Sequence, residues 1–141
     1  MRTICRTIAG VILCCVAGRW AFASDFTVVP DMAGGFGHYT WDMGIEGAAA
    51  IGNPPLYLSR NRSYTFGVTT SGIHPFWIKT VQGPGSTNGY VGGLSANGVT
   101  TSTTITFDVP DSAPETLFYN CGAHAEMTGP IHIVVFRAGF D

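Results

Sequence analysis

The sequence predicts an all-β domain, either a sandwich or a barrel. Short runs of β-branched and aromatic residues recur between turn signals, which is the pattern of such folds. The chain has no heptad pattern, no long apolar stripe at helical spacing and no internal repeat, and residues that favour helices are scarce. Its 141 residues contain no linker, so we expect one domain with a single core.

The first 23 residues have the anatomy of a secretory signal peptide. Arg2 and Arg6 form a basic segment, the apolar run Ile8–Gly18 follows, and Ala21-Phe22-Ala23 supplies small residues at a cleavage site. A membrane anchor would need roughly 20 apolar residues, which this run does not reach. The sequence therefore predicts a removed signal peptide (1–23), a mature domain (24–141) and a periplasmic or secreted location.

The mature chain is acidic. Removing residues 1–23 leaves 141 − 23 = 118 residues with four cations against nine carboxylates, a formal charge of 4 − 9 = −5. This charge disfavours a nucleic acid or an anionic membrane as a partner. We expect no membrane insertion after cleavage, and a monomer.

Eight strands are predicted along the mature chain. Tyr64, Phe66 and Val68 alternate with small or polar residues, as do Ile105 and Phe107, which is typical of strands with one buried face. Residues 82–102 are rich in Gly, Ser, Thr and Asn and form a long irregular stretch that either contains further structure or carries function. One helical turn is conceivable at Glu46–Ala50. The predicted strands are Asp25–Val29, a short one near Tyr39–Asp42, Pro55–Ser59, Ser63–Thr69, Phe76–Val81, Thr103–Val109, Thr116–Cys121 and Ile131–Arg137.

Cys121 is the one cysteine that remains after signal cleavage. In an oxidising compartment such a thiol is buried and inert, paired with another chain, or bound to a metal. It ends a predicted strand and is followed by His124 and Met127 on the loop before the next strand. A thiolate, an imidazole and a thioether on one short loop are donors that suit copper, which needs a second imidazole. His74, at the start of another predicted strand, can supply it.

The run Cys121-x2-His124-x2-Met127, followed by TGPIHIVV, resembles the copper loop and last strand of the cupredoxins, the small blue-copper proteins, and its length is similar to that of amicyanin. The resemblance extends from about Pro55 to Phe136. It implies a Greek-key β-sandwich of about seven to eight strands with one type 1 copper ion. By the same resemblance His74, Cys121 and His124 are ligands and Met127 is the axial ligand.

Two residues depart from the family pattern. The residue after the first histidine ligand is often Asn, which ties the ligand loops together, whereas here it is Pro75. Glu126 places a carboxylate beside Met127, where it is either a solvated surface group or a competing axial ligand.

Each candidate ligand also has a plain structural reading. Cys121 is alternatively a buried thiol, Met127 a core side chain, and His74 a turn residue satisfied by the backbone. His132 is expected to be structural, on the strand face opposite Ile131 and Ile133.

Further residues are less directly tied to the copper loop. His38 is expected to be a solvent-facing loop residue, with a weak second metal site beside Asp31, Asp42, Met32 and Met43 as the alternative. Phe76 and Trp77 are expected to pack in the core, although one of them could shield the metal.

The expected function is that of an exported electron carrier whose partner is a larger redox protein met through a transient interface. The sequence contains no defensible catalytic triad, carboxylate pair or phosphate loop, so no enzyme activity is predicted. The main alternative is a copper-binding or copper-delivery protein without an electron-transfer role. A metal-free structural sandwich is the third interpretation.

Overall fold

The structure, a computed structural model, describes residues 24–31, 37–42 and 51–135. Within these ranges it contains nine strands and no helix, and hence no helix that could cross a membrane. The predicted signal peptide, the predicted helical turn at Glu46–Ala50 and the end of the last predicted strand lie outside the described residues. The strands are β1 (Phe26–Asp31), β2 (His38–Asp42), β3 (Ile51–Gly52), β4 (Leu56–Ser59), β5 (Ser63–Val68), β6 (Phe76–Lys79), β7 (Thr103–Asp108), β8 (Thr116–Cys121) and β9 (Thr128–Val134).

The strands form two sheets. One has the order β3-β2-β1-β5-β7 and the other has the order β4-β9-β8-β6. The pairs β1–β5 and β4–β9 are parallel, and the remaining pairs are antiparallel. The chain changes sheet at every connection from β3 to β8. The predicted Greek-key β-sandwich is confirmed, and the strand that the sequence did not predict is the two-residue β3.

The core lies between the two sheets and is rich in aromatic rings. The alternation predicted for β5 and β7 is confirmed, because Phe66, Val68, Ile105 and Phe107 are all buried. Trp41 packs against Tyr119 with ring centroids 4.7 Å apart, and so links β2 in one sheet to β8 in the other. The prediction for β9 also holds at its centre, where Ile131 and Ile133 are buried and His132 is on the opposite, partly exposed face.

The last strand begins earlier than the sequence indicates. Gly129-Pro130 reads as a turn, yet β9 already starts at Thr128, whose hydroxyl donates a hydrogen bond to the Tyr119 carbonyl (2.9 Å). Proline lacks an N–H and is tolerated in a strand where no partner needs that donor. Pairing with the parallel strand β4 begins only at Ile131, so Pro130 is next to β8 alone.

The irregular stretch between β6 and β7 covers the β6 edge of the four-stranded sheet. Strand β6 is at the edge of its sheet, and its outer backbone groups bond to this loop: Phe76 and Val99 exchange two bonds of 2.9 and 3.1 Å. Farther along, the side chain of Asn97 accepts from the Ile78 N–H and donates to the Ile78 carbonyl, both at 2.8 Å. An uncovered edge would invite pairing with another chain. The loop therefore has a structural role that its composition does not reveal.

Candidate metal centre

Cys121 is at the end of β8, next to the strand that follows His74. Its cross-strand partner is Phe76, so the register of β6 and β8 brings the two ligand segments together. The thiol is free and fully buried. Its sulfur is 3.9 Å from Nδ1 of His74 and 3.4 Å from Nδ1 of His124. The backbone N–H of Ala123 also donates to this sulfur at 3.4 Å.

His74 closes a turn before β6. Its N–H donates to the Ser71 carbonyl at 2.9 Å, and its own carbonyl accepts from the Thr70 hydroxyl. The residue is 6% exposed. Burial, followed by the charge of the neighbouring His124, lowers the pKa of His74 below its usual value. Both effects favour a neutral imidazole, which is the form that binds a metal.

His124 is on the loop between β8 and β9 and is partly exposed. Its ring stacks on that of His74, with centroids 4.7 Å apart and planes 30° apart. In both imidazoles it is Nδ1 that faces the Cys121 sulfur. The ligand atoms of His74, Cys121 and His124 all lie within 4.8 Å of one another, and within the described ranges no other group of this kind occurs.

The spacing of these atoms fits a single metal ion. With metal–sulfur and metal–nitrogen bonds of about 2.3 and 2.0 Å, as for zinc, a trigonal plane separates sulfur from nitrogen by about 3.7 Å. The observed separations of 3.4 and 3.9 Å bracket that value. Two imidazoles with one thiolate in a trigonal set are the ligands that blue-copper sites use.

Met127 and Glu126 differ sharply in burial. Met127 is fully buried, and its carbonyl accepts the N–H of Cys121 at 2.8 Å, which folds the loop back on itself. Glu126 is exposed. An exposed carboxylate remains solvated, whereas a buried thioether has no water to compete with a metal.

Backbone hydrogen bonds join the two ligand loops, although Pro75 cannot form the link that an Asn at this position would make. The carbonyl of Pro75 accepts the N–H of Gly122 at 2.7 Å, which joins the His74 segment directly to the Cys121 loop. On its other side, the Gly122 carbonyl accepts the N–H of Gly85 at 2.8 Å. The sequence identified Pro75 as a departure but gave no sign of these substitutes, because they depend on which loops meet.

Two side chains that the sequence did not single out also anchor the site. Asn53 donates to the Glu126 carbonyl at 3.0 Å while its oxygen accepts the N–H of Tyr39 at 2.9 Å. The Tyr39 hydroxyl in turn is 3.3 Å from the carbonyl oxygens of both His74 and Pro75. Only the short predicted strand around Tyr39 hinted at a role for this segment.

The remaining candidates lie elsewhere. His38 is in strand β2 and not in a loop, with its Nε2 3.6 Å from Asp31 Oδ2. Met32 and Met43 of the conceivable second site lie outside the described residues. Phe76 is buried in the core as expected. Trp77 is only partly buried, and its indole nitrogen would be 3.0 Å from a Cβ added at Gly122.

Comparison with known proteins gives structural matches only. No family model matches the chain, and no curated protein matches it. The chain is similar to the copper protein rusticyanin, with 18% identity, 77% of this chain and 74% of that one covered, and a TM-score of 0.46. For rusticyanin from Thiobacillus ferrooxidans the identity is again 18%, the coverage 77% and 74%, and the TM-score 0.43.

A multi-copper oxidase from Pseudomonas Thermotolerans is a further match. Its identity is 12% and its TM-score 0.39, and the match covers 82% of this chain but 30% of the oxidase. Similarity at this level assigns no role to any residue.

The two-sheet topology and the buried ligand group together define a cupredoxin-like domain. Two imidazoles and one thiolate are the donor set that type 1 copper sites use, so this group of residues could hold one copper ion.

Proposed function

We propose that this protein is an exported single-electron carrier whose copper is bound by His74, Cys121, His124 and, axially, Met127. The observation that carries the proposal is the convergence of three ligand atoms within 4.8 Å at the end of a paired strand. Bound copper would supply a one-electron couple between Cu(I) and Cu(II). The protein contributes a fixed ligand geometry, which keeps reorganisation small when the electron moves.

His124 is the proposed route for the electron. His74 and Cys121 are buried, whereas His124 is partly exposed and is flanked by exposed Ala123 and Ala125. Ile73, next to His74, is 69% exposed. Small apolar residues around a partly exposed ligand suit a brief encounter with a larger redox protein through a small interface.

Met127 is preferred over Glu126 as the axial ligand because of their burial. A thioether beside the trigonal set would tune the potential. Replacing Met127 by Leu should shift the reduction potential and the visible spectrum of the copper protein, whereas Glu126→Gln should leave both unchanged. The opposite result would assign the axial position to the carboxylate.

Location and processing follow from the sequence. The basic and apolar segments before Ser24 favour cleavage after Ala23, and hence a mature chain of residues 24–141 in the periplasm or outside the cell. Mass spectrometry of the protein secreted by an expressing host would test this. A mature chain that begins elsewhere would contradict it.

Copper delivery is the main alternative, and oxidase activity is a further one. A carrier that hands over copper uses the same ligands but releases the ion readily. An oxidase of the multicopper type needs further copper ions, and His74, Cys121 and His124 are the one such ligand group among the described residues. The ties between the ligand loops favour a retained ion, and hence electron transfer.

The deciding experiment is a visible spectrum of the mature protein after addition of Cu(II), followed by cyclic voltammetry. We expect an intense thiolate-to-copper band and reversible cycling. The band should be absent in Cys121→Ala and strongly perturbed in His124→Ala, while His132→Ala, which changes a histidine on the outer face of β9, serves as the matched control. A bound ion that cycles irreversibly and passes quickly to a chelator would favour delivery. A spectrum unchanged by Cys121→Ala would refute the site.

A further inference from the structure

The loop between β6 and β7 contains two Asn-Gly pairs, Asn88-Gly89 and Asn97-Gly98. In such a pair the backbone nitrogen of the glycine can attack the side-chain carbonyl carbon of the asparagine, because no Cβ shields that nitrogen. The two pairs have the same covalent chemistry but different surroundings in the fold. Their surroundings therefore decide which pair can react while the protein is folded.

The pair Asn97-Gly98 is held in place by hydrogen bonds. The side-chain oxygen of Asn97 accepts the N–H of Ile78 at 2.8 Å and the N–H of Gly98 at 3.0 Å. Its side-chain nitrogen donates to the carbonyls of Ile78 and Tyr90, both at 2.8 Å. To react, the Gly98 nitrogen would have to give up its own hydrogen bond, and the Asn97 amide would have to leave its other partners. This pair is therefore protected as long as the loop stays on β6.

The pair Asn88-Gly89 is in an exposed turn of the same loop. Asn88 is exposed, and its φ is 62°, a left-handed conformation that asparagine tolerates in turns. Within the described ranges no hydrogen bond engages the side-chain amide of Asn88 or the N–H of Gly89. The side chain is therefore free to rotate towards the glycine nitrogen, and that nitrogen can lose its proton without breaking a hydrogen bond.

Two backbone bonds flank Gly89. The N–H of Thr80 donates to the Asn88 carbonyl, and the N–H of Tyr90 donates to the Ile78 carbonyl, both at 2.9 Å. Together they hold this end of the loop on the outer edge of β6. They fit a main chain of normal length between Asn88 and Tyr90, so an extra backbone atom at position 88 would break at least one of them.

We propose that Asn88 deamidates spontaneously in the folded protein, and that the isoaspartyl product detaches the loop from Thr80. The Gly89 nitrogen bonds to the side-chain carbonyl carbon of Asn88 and loses its proton, and the side-chain nitrogen leaves as ammonia. Water then opens the cyclic imide at either carbonyl, which gives an aspartyl or an isoaspartyl residue with no change of oxidation state. Both products add a negative charge, and the isoaspartyl form also adds a methylene group to the main chain. Neither step needs a metal.

The test follows both pairs in the full mature protein during incubation at mildly alkaline pH, with peptide mass spectrometry as the readout. Deamidation at Asn88 should be at least about tenfold faster than at Asn97, because Asn97 must first give up several hydrogen bonds. In protein unfolded by guanidinium chloride the two rates should be similar, since each pair is then an exposed Asn-Gly. Equal rates in the folded protein, or the same preference for Asn88 after unfolding, would overturn the inference.

A variant shows whether the new charge arises at this position. Asn88→Gln keeps an exposed amide in the turn, but its side chain is one methylene longer and closes a ring with the next nitrogen much less readily. Native isoelectric focusing of aged wild-type protein should show a more acidic species that is absent from Asn88→Gln. If the variant forms this species at the wild-type rate, the reaction occurs elsewhere and the inference is overturned.

Amide hydrogen exchange tests the detachment of the loop. In the isoaspartyl form, separated from unmodified protein by chromatography, protection of the Thr80 amide should fall. The Ile78 amide, which Asn97 accepts, should remain protected and serves as the control within the same molecule. A Thr80 amide as protected as in the unmodified protein would overturn the detachment.

Discussion

Asn97 is expected to be the residue that holds the long β6–β7 loop on the edge of its sheet. Its side chain accepts the N–H of Ile78 at 2.8 Å and donates to the carbonyls of Ile78 and Tyr90, each at 2.8 Å. It thereby takes the place of a neighbouring strand at the middle of β6. Replacing Asn97 by Ala removes these three bonds at once, together with the bond that its oxygen accepts from the Gly98 N–H at 3.0 Å.

The magnitude can be worked from these contacts. Each intramolecular hydrogen bond contributes about 1 kcal/mol net, so three give about 3 kcal/mol. The Ile78 carbonyl retains its bond from the Tyr90 N–H at 2.9 Å, and Asn97 is only partly buried, so water can replace part of the loss. We expect Asn97→Ala to lower the free energy of unfolding by about 2 kcal/mol, a large share of the stability of an ordinary domain.

Urea denaturation of the metal-free protein measures this loss, and amide hydrogen exchange locates it. Protection of the Ile78 amide should fall in Asn97→Ala. The matched control is Gln82→Ala, which removes an exposed amide side chain from the same loop and should stay within about 0.5 kcal/mol of wild type. A loss below that value in Asn97→Ala, with Ile78 still protected, would refute the view that this side chain anchors the loop.

Two further substitutions test other parts of the same framework. Gly98→Ala should lower the free energy of unfolding by about 2–4 kcal/mol, because φ is +67° and a Cβ would clash with the Trp77 ring. The control is Gly72→Ala, where a Cβ would meet open space and thermal unfolding should match wild type. Equal effects of the two substitutions would contradict this prediction. Asn53→Ala should lower the free energy of unfolding by about 2 kcal/mol, because it removes the hydrogen bond to the Glu126 carbonyl on the loop between β8 and β9. The same variant should release copper to a chelator faster than wild type. Unchanged release would show that the loop does not need this hydrogen bond.

The sequence predicted the strands well because their alternation is a local property. Phe66 and Val68, or Ile105 and Phe107, mark a buried face wherever the strand is placed, and the structure buries all four. The sequence did not predict β3, because two residues are too few to show an alternating pattern. It placed the start of β9 too late, because Gly129-Pro130 has the composition of a turn. In both cases the strand is defined by its pairing with another strand, and such pairing cannot be deduced from the neighbouring residues in sequence.

The candidate ligands could be predicted only because three of them share one loop. Cys121, His124 and Met127 are within seven residues, so their spacing carries information by itself. His74 required a fold, since 47 residues separate it from Cys121 and only the β6–β8 register joins them. The contacts of Tyr39 and Asn97 could not be predicted, because neither residue has a distinctive neighbour in sequence.

Lys79 shows the same limit in a different way. It ends β6, is 1% exposed, and its ammonium group donates to the carbonyls of Gly83, Pro84 and Gly85 at 2.6, 3.2 and 3.2 Å. A buried cation is stable only when such acceptors surround it. The sequence showed a lysine in an apolar strand but no acceptor, since the acceptors are backbone atoms of a loop that folds around it.

The way the site is built bears on the choice between carrying electrons and delivering copper. One half is fixed by strand pairing, because Phe76 pairs with Cys121 and the Pro75 carbonyl holds Gly122. The other half is fixed within the loop, because the Cys121 N–H bonds to the Met127 carbonyl at 2.8 Å. A delivery protein gains from ligands that separate easily, whereas an electron carrier gains from ligands that stay in place in both oxidation states. Ligand segments tied from both sides, with one partly exposed imidazole between them, favour the electron carrier.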